Sequence, residues 1–324
     1  MSAAPPLAYP TDAAARDRWI VSKRPPRRAL DPRRAAAAFL EEEPDASGEL
    51  VPVAAIFLTN RECPWRCLMC DLWKNTLSEP VAPGAIPAQI QEALRGLGPA
   101  RRVKLYNAGS FFDPRAIPPA DFDAIAALVR PFERVVVEAH PALVGDSCRR
   151  FRDLAGGALE VAMGLETVHE PTLERLNKRM TLDDFAAAAD FLAREGVALR
   201  AFVLAGLPFL DEAEGLAWAR RSIAFAFDRG AAVVSVIPTR GGNGALDALS
   251  AAGLFADPRL SVLEDTVDFG LDLRRGRVFA DLWDLDRFRR CGACFDARAA
   301  RLAETNRRQQ VLPRIRCGAC GGRG

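Results

Sequence analysis

Apolar positions fall into six short, nearly continuous runs: residues 50–59 (LVPVAAIFLT), 102–107 (RVKLYN), 134–138 (RVVVE), 159–165 (LEVAMGL), 197–205 (VALRAFVLA) and 231–237 (AAVVSVI). Runs of this length, rich in Val, Ile and Leu, predict buried strands. Between them the spacing changes to a helical period and predicts helices over 86–97, 119–130, 147–155, 171–177, 182–195 and 212–228. Strand followed by helix predicts a parallel sheet with right-handed crossovers. Six units are fewer than a closed eight-unit barrel requires. The expected fold is α/β, an open partial (β/α)6 TIM-type barrel. The expected division is a basic N-terminal extension (1–49), a barrel core (50–245) and a C-terminal region (246–324) ending in a small four-cysteine module. Residues 33–43 predict a short helix in the extension. Beyond residue 241 the pattern becomes irregular, until 297–310 predicts a helix.

With 49% hydrophobic and 27% charged residues among 324, the chain is neither mainly disordered nor collagen-like. Its longest apolar runs fall well short of the ~20 residues that span a bilayer. The N-terminus, MSAAPPLAYPTDAAARD, lacks an apolar signal core. No membrane association and a cytoplasmic location are therefore expected. Net charge is +2, but residues 16–34 carry +6, residues 287–324 carry +8 and the remainder −12. Basic ends on an acidic body are consistent with a polyanionic partner.

Seven of the eight cysteines cluster, which in a reducing compartment points to metal rather than disulfides. Cys63, Cys67 and Cys70 lie within eight residues, just past the first strand. Soft thiolates suit iron-sulfur clusters or zinc. Three ligands leave one coordination position open, where chemistry can occur. A zinc site with a distant fourth ligand is the plainer alternative. Cys291, Cys294, Cys317 and Cys320 form two C-x-x-C pairs, the pattern of a four-thiolate site. Zinc is expected there, with a second iron-sulfur cluster as the alternative. Cys148 stands alone in a predicted helix and reads as a packed side chain.

In parallel sheets ligands sit at the C-terminal ends of the strands, and the remaining candidates fall there. The second strand ends in Asn107, Ala108, Gly109 and Ser110, small enough for close backbone approach to a ligand. The third ends near Glu138, which could bind a ribose, an ammonium or substrate, and His140, a candidate acid or base. Both are taken as candidate catalytic residues. Glu166 and Thr167 follow the fourth strand, with Lys178 and Arg179 shortly beyond.

The CxxxCxxC loop after the first strand of a βα series resembles the radical S-adenosylmethionine (SAM) superfamily. The resemblance implies that Cys63, Cys67 and Cys70 hold a 4Fe-4S cluster, whose fourth iron chelates SAM. One-electron reduction would release methionine and a 5′-deoxyadenosyl radical that takes a hydrogen atom from the substrate. It also implies cofactor contacts. Met69, where relatives often carry an aromatic residue, would lie by the adenine. The turn Asn107 to Ser110 would meet the amino group of SAM, although the acidic residue usual there is missing. Glu166 and Thr167 would bind ribose hydroxyls or the methionine end, and Lys178 or Arg179 its carboxylate. Gly206 and Ile237, at the ends of the fifth and sixth strands, would lie near adenine. The stretches KLYNAGSFFDP, VEAHP and GLET…LNKRM, with the cysteine-rich ending, resemble the branch holding the radical SAM subunit of archaeosine synthase. Elongator-catalytic-subunit-like and methylthiotransferase-like proteins are related to it. That branch implies modification of a tRNA nucleobase, an electron donor such as ferredoxin or flavodoxin, and a possible partner subunit. The alternatives are a radical SAM enzyme for a peptide or small metabolite, and a non-catalytic metal-binding or nucleic-acid-binding protein.

Overall fold

A computed structural model describes residues 9–321. Residues 1–8 and 322–324, the outer ends of the expected extension and tail, lie outside the described residues. Eight strands form one sheet in chain order: β1 (Ala37–Pro44), β2 (Leu50–Phe57), β3 (Arg102–Tyr106), β4 (Arg134–Glu138), β5 (Ala158–Glu166), β6 (Ala198–Ala205), β7 (Ala231–Pro238) and β8 (Arg277–Ala280). β1 is antiparallel to β2 and every later pair is parallel. The helices are α1 (Ala13–Lys23), α2 (Ala85–Gly96), α3 (Phe122–Val129), α4 (Asp146–Ala155), α5 (Glu170–Arg175), α6 (Leu182–Arg194), α7 (Glu212–Asp228), α8 (Ala245–Ala251), α9 (Leu260–Asp272) and α10 (Phe295–Arg308). The sheet curls into an open half-barrel, as the strand-helix alternation predicts. The six expected strands are β2 to β7, and a strand is added at each edge.

The main core lies between the sheet and its helices. Ile56, Leu105, Val137 and Val161 on the strands meet Ile90, Phe122, Phe151 and Phe185 on the helices, all fully buried. The opposite face of the sheet carries buried charge. Arg200 on β6 binds Glu43 on β1 (2.9 Å) and Glu160 on β5 (2.7 Å). Lys104 on β3 binds Glu41 (2.6 Å) and Glu43. Burial opposes ionisation of Glu43, yet Arg200 and Lys104 outweigh it and hold this carboxyl well below its ordinary value.

This charged lining explains the first departure from expectation. Residues 33–43 are not a short helix, since 37–44 form β1. Ala and Glu favour helices, but pairing with β2 overrides local preference. The strand also has its polarity inverted: Glu43 is buried while Leu40 is exposed. The second departure is β8, four residues long, preceded by α9 in the region that reads as irregular.

The outer edge of β8 is covered by the amides of Asn306 in α10 and of Gln309, its C-cap. Asn306 accepts from the Ala280 N–H and donates to its carbonyl, both at 2.8 Å. Gln309 does the same for Val278, at 2.7 and 3.0 Å. A free strand edge is a template for unwanted pairing, and side-chain amides remove it. A second, smaller core sits at the C-terminal ends of the strands. There Ile20 of α1 packs with Leu68, Leu176, Leu204, Leu207 and Leu246. No described helix is long and apolar enough to cross a membrane.

Candidate active site

The cysteine loop leaves β2 at its C-terminal end and is tied down by main-chain and amide contacts. Gln89 of α2, fully buried, accepts from the Thr59 N–H (2.8 Å) and donates to its carbonyl (2.7 Å). Leu68 N–H donates to the Leu176 carbonyl (2.8 Å), and Asn177 Nδ2 to that of Arg66 (2.8 Å). Asn243 Nδ2 donates to the carbonyls of Leu68 (2.7 Å) and Cys70 (3.3 Å). Gln89 and Asn243 escape the sequence reading, because nothing marks a glutamine or asparagine as buried before its partners are known. Burial pushes the thiols of Cys63, Cys67 and Cys70 up to about 12.

The turn after β3 meets this loop. A Cβ on Gly109 would lie 3.2 Å from that of Cys63, so glycine permits the contact. Ala108 is left-handed (φ 52°). The Glu138 carboxylate accepts from the Asn107 N–H at 2.9 Å. Burial raises this carboxyl to about 7, against the N–H groups of Asn107, Ala108 and Gly109, which favour the anion. Glu138 thus braces the turn. The Asn107 side-chain amide and the Ser110 hydroxyl are buried with no hydrogen-bond partner. Unpartnered buried polar groups are costly, and these lie just past the C-terminal end of β3.

His140 stacks on Trp65 of the cysteine loop (3.7 Å between centroids, 8° between planes). Its Nδ1 accepts from the Ala142 N–H (3.2 Å), and its Nε2 donates to the Lys178 carbonyl (3.0 Å). Both nitrogens are used, which sets the tautomer. Burial, then the charge of Lys178, lowers its pKa to about 4. These contacts tie His140 to the cysteine loop and to the main chain of Ala142 and Lys178.

β5 ends in a buried ion pair, Lys178 Nζ to Glu166 Oε1 at 2.6 Å. Burial works against the charge of Lys178, but Glu166 holds its pKa above the ordinary value. A Cβ on Gly164 would stand 2.0 Å from Glu166 Oε1 and 2.4 Å from Lys178 Nζ, so only glycine leaves room for the pair. Thr167, fully buried, accepts from the His169 N–H at 3.1 Å. Arg179 points elsewhere, to Asp17 (2.8 Å) and the Ala13 carbonyl of α1. Gly206 is left-handed (φ 78°), and its missing side chain leaves space for Pro258. Met69 and Ile237 both pack against the second core.

The four tail cysteines come together, with sulfurs all within 4.8 Å of one another. Cys291 and Cys317 are 3.9 Å apart, and Cys294 and Cys320 are 3.7 Å apart. Cys63, Cys67 and Cys70 do not gather within that span. A single tetrahedral ion would need them closer, since Zn–S bonds of ~2.3 Å put sulfurs ~3.8 Å apart.

Fold and site together define an α/β half-barrel with a three-cysteine loop and a polar turn at the C-terminal ends of its strands. No family model matches the chain. It is 28% identical over 191 residues to archaeosine synthase subunit beta of Methanosarcina acetivorans, covering 55% of each chain. It is 27% identical over 168 residues to the Thermococcus kodakarensis protein of the same name, covering 48% of this chain and 51% of that one. The chain thus spans about half the length of the curated relatives it matches. Among solved structures it shares its fold with methylornithine synthase (TM-score 0.52, 13% identity, 89% of this chain and 74% of that one). It also shares it with an N-terminally truncated Elp3 of Methanocaldococcus infernus (TM-score 0.50, 14% identity, 72% and 60%). The comparisons bear out the expected α/β fold and the resemblance to archaeosine synthase subunit beta, over about half of each chain.

Proposed function

We propose that the chain is a radical SAM enzyme that modifies a nucleobase of tRNA. The observation that carries the radical SAM part is the unpartnered Asn107 amide and Ser110 hydroxyl, buried in a turn that touches Cys63. Cys63, Cys67 and Cys70 would hold a 4Fe-4S cluster, and the turn and the Glu166–Lys178 pair would hold SAM. When bound, a reduced cluster and SAM would together supply one-electron reduction and a 5′-deoxyadenosyl radical. The chain's own residues prepare the site. Glu138 fixes the turn, and the His140–Trp65 stack fixes the loop. Glu166 and Lys178 offer an acceptor and a donor to ribose and carboxylate groups, and Met69 and Ile237 an apolar wall for a purine. Arg179 belongs to the α1 contact.

Support for tRNA comes from the relatives' name, not from surface charge. Several terminal cations are engaged within the protein: Arg16 with Glu174, Arg34 with Glu92, Arg301 with Asp268 and Arg314 with Glu264. An electron donor such as ferredoxin or flavodoxin and a partner subunit belong to the same proposal. For the tail, sulfur separations of 3.7 and 3.9 Å support one structural zinc, because a cluster would place four irons between the sulfurs. The test is anaerobic reconstitution with metal counting, followed by addition of dithionite and SAM. About four irons, about one zinc and 5′-deoxyadenosine are expected. Alanine at Cys63, Cys67 or Cys70 should abolish SAM cleavage and leave the zinc. Cleavage surviving in any of the three overturns the assignment.

A further inference from the structure

The N-terminal segment crosses the cysteine loop and is fastened at both ends. At one end Tyr9 Oη donates to the Arg175 carbonyl (2.7 Å), and Arg16 binds the Glu174 carbonyl (2.8 Å). Midway, Asp17 accepts from Asn177 (2.7 Å), whose same nitrogen donates to the Arg66 carbonyl inside the cysteine loop. Ile20 enters the second core beside Leu68, two residues before Cys70. At the far end the Lys23 carbonyl lies against Gly244, where a Cβ would stand only 1.8 Å from it. Beyond it, Arg24 (2.7 Å) and Arg27 close on Glu62, which Arg66 also reaches (3.0 Å). The Glu62 side chain is only 8% exposed, and Glu62 immediately precedes Cys63. A mostly buried carboxylate facing three guanidiniums is a network rather than a surface pair, and so resists solvent screening.

We propose that α1 is a latch on the cysteine loop, with Glu62 as the catch for Arg24 and Arg27, so that the three thiols are held in register with the turn of Asn107 to Ser110. The proposal rests on the reading that this loop carries a cluster. Glu62, Arg24 and Arg27 are positioning residues that act through the loop. Undoing the catch opens the loop locally, because the rest of the sheet stays packed.

Hydrogen exchange on the full chain tests this, with and without reconstituted iron. Glu62→Gln keeps shape and removes the charge. Arg27→Gln is the milder variant, since Arg27 is partly exposed and its loss leaves the core intact. In both, peptides covering residues 9–24 and 61–70 should exchange together, about fivefold faster than in the wild type, the factor that ~1 kcal/mol represents. Sheet peptides should be unchanged. Iron release to a ferrous chelator should accelerate similarly, while tail zinc stays bound. Faster exchange at 9–24 with 61–70 unmoved, or no change in either, overturns the latch. Failure of the wild type to load iron would overturn the cluster reading alone, since exchange in the apo-protein still decides the latch.

Discussion

Single residues show where the chain stores unmet bonding capacity. Ser110 and Asn107 hold buried polar atoms that nothing in the protein satisfies. Ser110→Ala should therefore leave the melting temperature unchanged or slightly raised, because it removes an unsatisfied group. It should weaken SAM binding about tenfold, roughly the loss of one hydrogen bond, as calorimetry would show. A large drop in melting temperature with unchanged affinity would mean that Ser110 is structural. His140 supplies a pH dependence. Its pKa falls from 6.5 to about 4 on folding, so the neutral ring is the stable form. Its contribution is complete above pH 6.5 and is lost as pH falls from there toward 4, with a ceiling of about 3 kcal/mol. His140→Asn should flatten that part of a stability-against-pH curve, and a curve unchanged in slope would count against it. The sequence marks Glu138 and His140 as chemically capable and at the right end of a strand. Their hydrogen bonds to the main chain of Asn107, Ala142 and Lys178 are seen only in the coordinates.

Elements repeat this on a larger scale. β2 to β7 are legible because their helix-facing sides are apolar and each is followed by a helical period. β1 is not, because its inward residues are Glu41 and Glu43 and its partners Lys104 and Arg200 are far away in sequence. β8 is too short to show a pattern, and its outer edge depends on the amides of Asn306 in α10 and of Gln309 at its C-cap. Asn306→Ala should leave the Ala280 N–H and carbonyl without these partners. The expected loss is about 1–3 kcal/mol, read from denaturant unfolding with an unchanged slope. A shift within error would show that water replaces the amide without penalty.

On the scale of the whole molecule, two clasps close an otherwise open half-barrel. α1 crosses the cysteine loop at the C-terminal ends of the strands. α10 contacts both β8 and β1, with Arg307 reaching Glu42 (2.5 Å) and the two cysteine pairs knotting its flanks. Removing the metal proposed for the tail, by chelation or by Cys317→Ser, should free residues 311–320 for limited proteolysis. The iron proposed for the other loop should remain, because the two sites share no ligand. Loss of both together would show that the tail clasp also holds the barrel. The linear order of residues determined the α/β alternation, the three-cysteine loop, the four-cysteine tail and the ends of the strands where ligands gather, because each depends on local spacing. Tertiary structure decided the strand identity of β1, the charged lining, the partners of Glu138 and His140, and the turning of N-terminal arginines inward onto Glu62. Those depend on which distant charges and amides burial brings within bonding distance, and local spacing carries no record of that.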